Sequence, residues 1–331
     1  MSIVPVDPRD PDPSVIARAA ALLAQGRLVA FPTETVYGLG ANALDPAAVA
    51  RIYEAKGRPA YNPLIVHVSD AAAARRLVTA WPEAAERLAG RWWPGPLTLV
   101  LPKSREIPPE VTAGLETVAL RVPAHPVALA LLRAAGLPVA APSANRSGEV
   151  SPTTAEHVQH SLGDRVPMIL DGGPTPVGIE STVVDLTDRM PCLLRPGMVT
   201  QADLEAVVGP VRVPVAPLQP DTPRPSPGML DRHYAPKARV LLYRGPADGQ
   251  ESASRARSRG GQVAALVRTA RLSGVSPQEE LPDEPAAYAR GLYGALRRLD
   301  QDGVAVILVE APPGGPDWAA IRDRLDRAAR G

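Results

Sequence analysis

A proline-rich interval divides this chain of 331 residues into two parts. Between Gly209 and Pro236 there are eight prolines in 28 residues. Because proline has no backbone N–H and a fixed φ, this stretch cannot form a helix or a central strand. We interpret residues 209–237 as a semi-rigid, extended linker between a first domain, 1–208, and a second domain, 238–331. Its composition alone is equally consistent with a passive tether.

Composition limits the classes of protein to which the chain can belong. Apolar residues make up 45 % of it, enough for a globular core, and the net charge of +1 argues against a strongly cationic nucleic-acid coat. No apolar run approaches the length of about 18 residues that a transmembrane helix needs, and the acidic, proline-rich start lacks the pattern of a signal peptide. Cys192 is the only cysteine, which excludes an intramolecular disulfide and a multi-cysteine metal site. We therefore expect a cytoplasmic protein that has no membrane contact.

Hydrophobic patterning predicts an α/β fold for both parts. In the first part we predict helices at 14–25, 46–55, 70–79, 82–89 and 126–135, and strands at 27–31, 63–68, 97–102, 117–123, 138–143, 167–173 and 181–186. In the second part, strands at 238–242, 262–267 and 304–309 alternate with helices, which predicts a small parallel sheet. The run 38–43 imitates a dinucleotide-binding glycine motif, but PTETVY separates it from the strand, so we interpret it as a turn that needs glycine.

Hydroxyl, amide and cationic side chains recur where the predicted strands of the first domain end. They are Thr33, Thr35, Lys56, Arg58, Ser143, Asn145, Ser147, Ser181, Thr182 and Arg195. The chain has only three lysines, which makes Lys56 more informative than usual. Strand ends of α/β sheets commonly bind ligands, and no pair of nucleophile and general base is evident here. The pattern indicates a site that holds an anionic, polar substrate and works by positioning and electrostatics.

Several of these residues also have purely structural interpretations. Thr33 or Thr35 can cap a turn, and the Lys-Gly-Arg run at 56–58 can be a solvated basic turn. His67 lies inside an apolar strand, where a histidine with satisfied hydrogen bonds is common. Arg121 is flanked by apolar residues in VALRVP, so its charge needs a carboxylate partner from the protein or from a ligand.

The motifs occur together in an order that resembles one family. PTETVYGLG (32–40), KGR (56–58), SAN (143–145), STVVDL (181–186) and LLRPG (193–197) resemble the YrdC-type threonylcarbamoyl-AMP synthases. SPGMLDRHYAP (226–236), followed by an α/β segment, is similar to the long, two-domain members. The resemblance implies an α/β protein in which a YrdC-like domain with a twisted mixed sheet is joined by a proline-rich linker to a smaller, Rossmann-like parallel α/β domain.

The resemblance also implies a reaction. L-threonine, bicarbonate or CO2, and ATP give threonylcarbamoyl-AMP and pyrophosphate in this family, with Mg2+ accompanying ATP. Other proteins, the tRNA-modifying transferases, then place the threonylcarbamoyl group on the adenosine beside the anticodon of ANN-decoding tRNAs. A weak contact of the chain itself with tRNA is part of this expectation.

Individual residues take roles from the same resemblance. The expected catalytic tetrad, which also binds the nucleotide, consists of Lys56, Arg58, Ser143 and Asn145. Further ATP contacts are expected from Asn62, Ser151, Arg195, His233 and Tyr234. The expected threonine-binding residues are Arg121, for the carboxylate, and Thr33, Thr35, His67 and Ser181, for the amine and hydroxyl. Glu34 and Asp185 are no more than candidate magnesium ligands.

Two further expectations concern the linker and the competing functions. In the two-domain family the linker is expected to fold over the site as a lid, anchored by HYAP (233–236). One alternative function is that of a carbamoyl-adenylate-forming protein related to hydrogenase maturation factors, but those carry cysteine-rich zinc modules. The other is an RNA-binding module, which the near-neutral charge and the single phenylalanine, Phe31, argue against.

Overall fold

The computed structural model describes residues 2–214 and 233–330. Most of the predicted linker, including the hypothetical lid, falls in residues 215–232 and lies outside the described residues. The described chain divides into two compact units. The first contains the described residues of Met1–Ser147, Pro152–Pro176 and Glu180–Met229, and the second contains those of Gly148–Ser151, Val177–Ile179 and Leu230–Gly331. Two short segments within the predicted domain 1–208 therefore group with the second unit.

A mixed sheet of ten strands forms the framework of the first unit within residues 2–214. In chain order its strands are β1 (Ser2–Pro5), β2 (Val29–Phe31), β3 (Gly38–Asn42), β4 (Ile65–His67), β5 (Leu97–Pro102), β6 (Thr117–Arg121), β7 (Val139–Ala140), β8 (Met168–Asp171), β9 (Thr182–Asp185) and β10 (Cys192–Arg195). Their order across the sheet is β1-β8-β2-β3-β7-β4-β6-β5-β9-β10. Parallel and antiparallel neighbours both occur, as in β2 with β8 and β2 with β3. This arrangement confirms the predicted mixed sheet.

Helices cover the sheet of the first unit. They are α1 (Pro13–Ala24), α2 (Pro46–Lys56), α3 (Ala71–Arg76), α4 (Glu83–Trp92), α5 (Pro109–Thr112), α6 (Pro126–Ala135), α7 (Ala155–Leu162) and α8 (Gln201–Val208). Asp12 precedes α1 and caps it, because its side chain accepts a hydrogen bond from the Ser14 N–H. No helix in the described residues combines the length and apolarity needed to cross a bilayer.

The segment predicted as a glycine turn is strand β3 instead. It pairs antiparallel with β2 and β7. A Cβ at Gly40 would lie 2.8 Å from the Phe31 ring and 2.9 Å from Val139 Cγ1. Glycine is therefore required because neighbouring side chains pack against the bare backbone, and not because a turn needs a left-handed conformation.

The second unit has a parallel sheet, as predicted. Its strands are β11 (Arg239–Tyr243), β12 (Gln262–Val267), β13 (Gln278–Glu280) and β14 (Val304–Glu310), in the order β11-β14-β12-β13. Helices α9 (Gly245–Ser258), α10 (Pro285–Leu299) and α11 (Ala319–Ala329) complete it. Helix α10 turns one apolar face into the core, where Tyr288, Leu292, Leu296 and Leu299 are all buried.

Helix α10 also holds the two short segments that join the second unit. Arg297 donates a hydrogen bond to the carbonyl oxygen of Val150. The Ala235 N–H donates to the Gly148 carbonyl oxygen at 2.9 Å. A Cβ at Gly178 would lie 2.5 Å from the Cα of Arg290, so this glycine allows a direct approach of two backbones.

Candidate active site

Two threonine hydroxyls lie side by side after β2. Thr33 Oγ1 accepts hydrogen bonds from the backbone N–H groups of Thr35 and Val36, each at 3.2 Å, and donates to the Val36 carbonyl oxygen at 2.6 Å. The structural interpretation of Thr33 as a turn cap is thus confirmed. Thr35 is fully buried, and its Oγ1 lies 2.9 Å from Thr33 Oγ1. Thr35 is therefore the hydroxyl of this turn that faces other elements.

Arg121, at the end of β6, faces that turn. Its Nη2 donates to Thr35 Oγ1 at 2.9 Å and to Glu34 Oε1 at 2.7 Å, and its Nε donates to the Gly95 carbonyl oxygen at 3.3 Å. Glu34 provides the carboxylate that the sequence required, and its second oxygen accepts from the Ala124 N–H. Arg121 Nη1 makes no hydrogen bond within the described residues, and the side chain is only 4 % exposed. One face of a buried, oriented guanidinium thus remains for a ligand anion.

His67 ends strand β4 directly opposite Arg121 on β6. Burial and, as the smaller cause, the neighbouring Arg121 guanidinium together lower the pKa of His67 to about 3. The imidazole is therefore neutral at physiological pH. Its Nδ1 is buried and has no hydrogen-bond partner within the described residues. A neutral ring with an unpaired nitrogen next to a cation is suited to a polar ligand and not to a proton-transfer role.

Ser181 and Arg195 form a second part of the site. Ser181 Oγ lies 2.8 Å from Thr98 Oγ1, while Arg195 donates from Nη2 to Ser181 Oγ at 3.1 Å and from Nε to the Ser181 carbonyl oxygen at 3.0 Å. Arg195 was expected at ATP and Ser181 at threonine, and the structure brings the two together. Sequence reasoning missed Thr98, because a threonine inside the apolar strand LTLVLP gives no signal of its own.

The Gly95–Pro96 link joins these two parts. The Gly95 carbonyl oxygen accepts from Arg121, and the Pro96 carbonyl oxygen accepts from the Thr182 N–H at 3.0 Å. These two contacts therefore fix the start of β9 relative to the group formed by Thr35, Arg121 and His67.

The predicted tetrad is built from the end of α2, the loop that follows it and the loop that follows β7. Lys56, the last residue of α2, donates from Nζ to the carbonyl oxygens of Ser143, at 2.5 Å, and Asn145. Arg58 folds over its own loop, donating from Nε to the Asn62 carbonyl oxygen at 3.0 Å and from Nη2 to that of Pro63 at 2.7 Å. Lys56 and Arg58 are 3 % and 8 % exposed, so both cations are held below the surface.

The loop that carries Ser143 and Asn145 connects the tetrad to the threonine turn. The Ala144 N–H donates to the Tyr37 carbonyl oxygen at 2.8 Å, and Ser143 forms an isolated bridge with Gly38. Beside Arg58, Asn62 is fully buried, and neither its Nδ2 nor its Oδ1 has a partner within the described residues. Leaving both ends of a buried amide unpaired is costly, so this side chain is prepared for a polar ligand.

Three of the predicted ATP contacts belong to the second unit. Ser151 is fully buried there. The rings of His233 and Tyr234 are 4.0 Å apart, Tyr234 stacks on Tyr293 at 5.9 Å, and the guanidinium of Arg324 lies 5.2 Å from the centre of the Tyr234 ring. Tyr234 has a φ of 60° and is 1 % exposed, so its packing holds a backbone conformation that costs a non-glycine residue about 1–3 kcal/mol.

Both candidate magnesium ligands make hydrogen bonds within the protein. Glu34 is paired with Arg121, and Asp185 Oδ1 accepts from the N–H and the hydroxyl of Thr187 at 2.9 Å and 2.7 Å. Over residues 2–214 and 233–330, no group of three or more His, Cys, Asp or Glu side chains is arranged to hold a metal ion.

Comparison with known proteins identifies the family. The Sua5–YciO–YrdC family model, described as telomere recombination, matches residues 21–197, and the model of the threonylcarbamoyl-AMP synthase C-terminal domain matches residues 199–330. The threonylcarbamoyl-AMP synthase of Bacillus subtilis is 48 % identical over 96 % of this chain and 93 % of its own length. That of Pyrococcus abyssi is 47 % identical over 94 % of this chain and 93 % of its own length.

A solved structure extends the match to the fold. The crystal structure of P. abyssi Sua5 complexed with L-threonine has a TM-score of 0.94 and 44 % identity, covering 99 % of this chain and 98 % of that one. Both the resemblance and the predicted architecture are thereby confirmed. This chain belongs to the threonylcarbamoyl-AMP synthase family, in its long form with a C-terminal domain.

Proposed function

We propose that this chain is a nucleotidyltransferase that forms threonylcarbamoyl-AMP and pyrophosphate from L-threonine, bicarbonate or CO2, and ATP. The observation that carries the proposal is the buried Arg121: its Nη2 donates to the Thr35 hydroxyl, and it lies opposite the neutral His67 on the neighbouring strand. Its Nη1 makes no hydrogen bond within the described residues. This arrangement presents one cation and two neutral polar groups, which complement the carboxylate, hydroxyl and amine of an amino acid. The L-threonine bound in the P. abyssi relative supports this assignment.

Arg121 is the group that orients threonine. Glu34, Thr35 and Gly95 fix three of its N–H directions, so the remaining edge meets the substrate carboxylate without loss of side-chain freedom. Ser181, itself fixed by Thr98 and Arg195, supplies a further hydroxyl in the same unit. A site that hydrogen-bonds the substrate hydroxyl rejects amino acids without one far better than an apolar pocket does.

The chemical step requires charge stabilisation more than proton transfer. The threonine amine and bicarbonate give a carbamate and water, and a carbamate oxygen then attacks the α-phosphorus of ATP while the bond to pyrophosphate breaks. The carbamate is already an anion, so this attack needs no general base. Lys56 and Arg58, each fixed by two carbonyl oxygens, would stabilise the negative charge that moves to the leaving pyrophosphate. Magnesium would arrive with ATP as part of the substrate and share that role.

The wider setting of the reaction belongs to the same proposal. The adenylate would be passed to tRNA-modifying transferases that complete threonylcarbamoyladenosine in ANN-decoding tRNAs. The residues of the second unit, Ser151, His233 and Tyr234, remain proposed ATP contacts. A cytoplasmic location and a weak contact with tRNA remain expectations from the sequence.

Turnover of ATP to pyrophosphate by the full-length protein tests the proposal. We expect turnover only when both threonine and bicarbonate are present. The Lys56→Ala variant should lose at least about 100-fold in kcat while its circular dichroism stays that of the folded wild type. Lys103→Ala is the matched control, because the Lys103 side chain donates to the Ile107 carbonyl oxygen, at 3.3 Å, and Lys103 is not one of the predicted site residues.

Turnover that depends on neither threonine nor bicarbonate would contradict the proposed reaction. A salt-titrated tRNA-binding assay separates the alternative RNA-binding module. Tight tRNA binding without threonine-dependent turnover would favour that module instead.

A further inference from the structure

A cavity of about 360 Å³ opens in the first unit, away from the site described above. Leu28 and Pro167, which line it, directly precede strands β2 and β8. These two strands are parallel neighbours, so the cavity lies at their amino ends. Thr33 and Thr35 follow the opposite end of β2. The cavity is therefore at the other edge of the sheet from the threonine-binding residues.

The charged lining of this cavity is strongly basic. Arg27, Arg51 and Arg165 face it together with a single carboxylate, Glu54, which gives a formal net charge of +2. Arg27 and Arg165 are exposed, and neither makes an ion pair or a side-chain hydrogen bond within the described residues. Three exposed guanidinium groups around one concavity give it a positive potential that attracts anions.

Arg51 is the fixed member of the group. Its Nη1 donates to the Gly26 carbonyl oxygen at 2.5 Å, across the end of α1. This contact uses one of the five guanidinium N–H groups and orients the others. Arg51 and Glu54 both belong to α2, whose final residue is Lys56, so the cavity is built on the helix that also carries a residue of the proposed tetrad.

We propose that this cavity binds a diphosphate group, either free or within a nucleotide. The planar fork of arginine matches pairs of phosphate oxygens, and three such forks can share the oxygens of two linked phosphoryl groups. The volume lies at the lower end of the roughly 300–1,000 Å³ usual for small-molecule sites, which fits a ligand of this size. Glu54 opposes the anion and moderates its affinity. The proposal does not depend on the proposed catalytic activity.

Calorimetric titration of the full-length protein with inorganic pyrophosphate tests the proposal for a free diphosphate. A second titration, with AMP-PNP, tests it for a diphosphate within a nucleotide. The double variant Arg27→Gln/Arg165→Gln should weaken binding at the cavity by about tenfold or more, since two charge-assisted contacts are lost. Arg18→Gln/Arg87→Gln, an equal charge change at exposed positions of α1 and α4, is the matched control and should bind as the wild type does. Both sets of residues are exposed, so the melting temperatures should stay close together.

Two further variants separate the cavity from the proposed active site. Glu54→Gln removes the opposing charge and should tighten pyrophosphate binding at the cavity by about two- to fivefold. Lys56→Ala disables the proposed tetrad but should leave the cavity affinity unchanged. Pyrophosphate affinity that the double arginine variant leaves intact, or that Lys56→Ala abolishes, would overturn the proposal. The proposal would also be overturned if the wild-type protein bound a tRNA but neither pyrophosphate nor AMP-PNP, and the double variant no longer bound that tRNA.

Discussion

His67 is buried at the end of β4, where burial and the Arg121 guanidinium lower its pKa from 6.5 to about 3. In the unfolded chain the ring keeps its ordinary pKa, so below pH 6.5 the unfolded state binds a proton that the folded state does not. Stability is therefore fully present above pH 6.5 and is lost as the pH falls toward 3. The loss is about 1.4 kcal/mol per pH unit, or about 2 kcal/mol between pH 7 and pH 5.

Two measurements check this expectation. The imidazole Hε1 resonance of His67, assigned with a His67→Asn variant, should not titrate between pH 8 and pH 5. Urea unfolding at pH 7 and pH 5 should show that the wild type loses about 2 kcal/mol more than His67→Asn, whose side chain does not titrate. His160→Asn, at an exposed position of α7, is the control and should keep the wild-type pH dependence.

A His67 resonance that titrates with a midpoint between pH 5.5 and pH 7 would refute the reasoning. An equal loss of stability in the wild type and His67→Asn would refute it as well. If the proposed function is right, His67 should not cause the KM for threonine to change between pH 5.5 and pH 8, because its ring stays neutral over this range.

Three other substitutions follow from the packing and pairing of the first unit. Gly40→Ala should lower the free energy of unfolding by about 1–3 kcal/mol, measured by urea denaturation, because the new methyl group meets neighbouring side chains at less than 3 Å. Glu34→Gln should cost about 3–5 kcal/mol by the same assay, since it leaves Arg121 buried without its carboxylate, and saturating threonine should restore part of the loss. Thr98→Val should raise the KM for threonine about fivefold with little change in kcat, because Ser181 loses one of its orienting contacts.

Matched substitutions at open positions serve as controls for these three. Gly90→Ala in α4 meets nothing within 4 Å and should leave the protein equally or slightly more stable. Glu106→Gln is the control for Glu34→Gln, and Thr79→Val is the control for Thr98→Val; both controls lie at exposed positions. Each should change the free energy of unfolding by less than about 0.5 kcal/mol. Equal effects in a test variant and its control would show that the contact invoked does not matter.

Sequence patterning predicted the elements whose hydrophobic period is strong. The apolar residues of strand β5 are nearly continuous, and those of helix α10 recur at helical spacing. Both elements form as expected. Strand β3 could not be predicted in this way, because Gly38 and Gly40 have no side chains to show a period and are specified by the packing of residues on other strands. Helix α5 is only four residues long and was missed for want of any repeat.

The candidate site shows the same division. The apolar surroundings of Arg121 showed that it needed a carboxylate, but its partner, Glu34, is 87 residues away and becomes apparent only in the folded chain. Thr98 was missed for the same reason, since its significance comes entirely from Ser181 on a neighbouring strand. Local chemistry is readable from the sequence, whereas pairing between distant segments depends on the topology of the sheet.

The contacts of helix α10 have a consequence for the order in which the protein is made. Arg297 follows Val150 by 147 residues, and at about 5–20 residues per second a ribosome needs roughly 7–30 s to add them. During that time the strands of the first unit have been synthesised, while the segments at Gly148–Ser151 and Val177–Ile179 still lack the helix that will hold them. The nascent chain therefore completes the surroundings of Ser151 only after helix α10 has been synthesised.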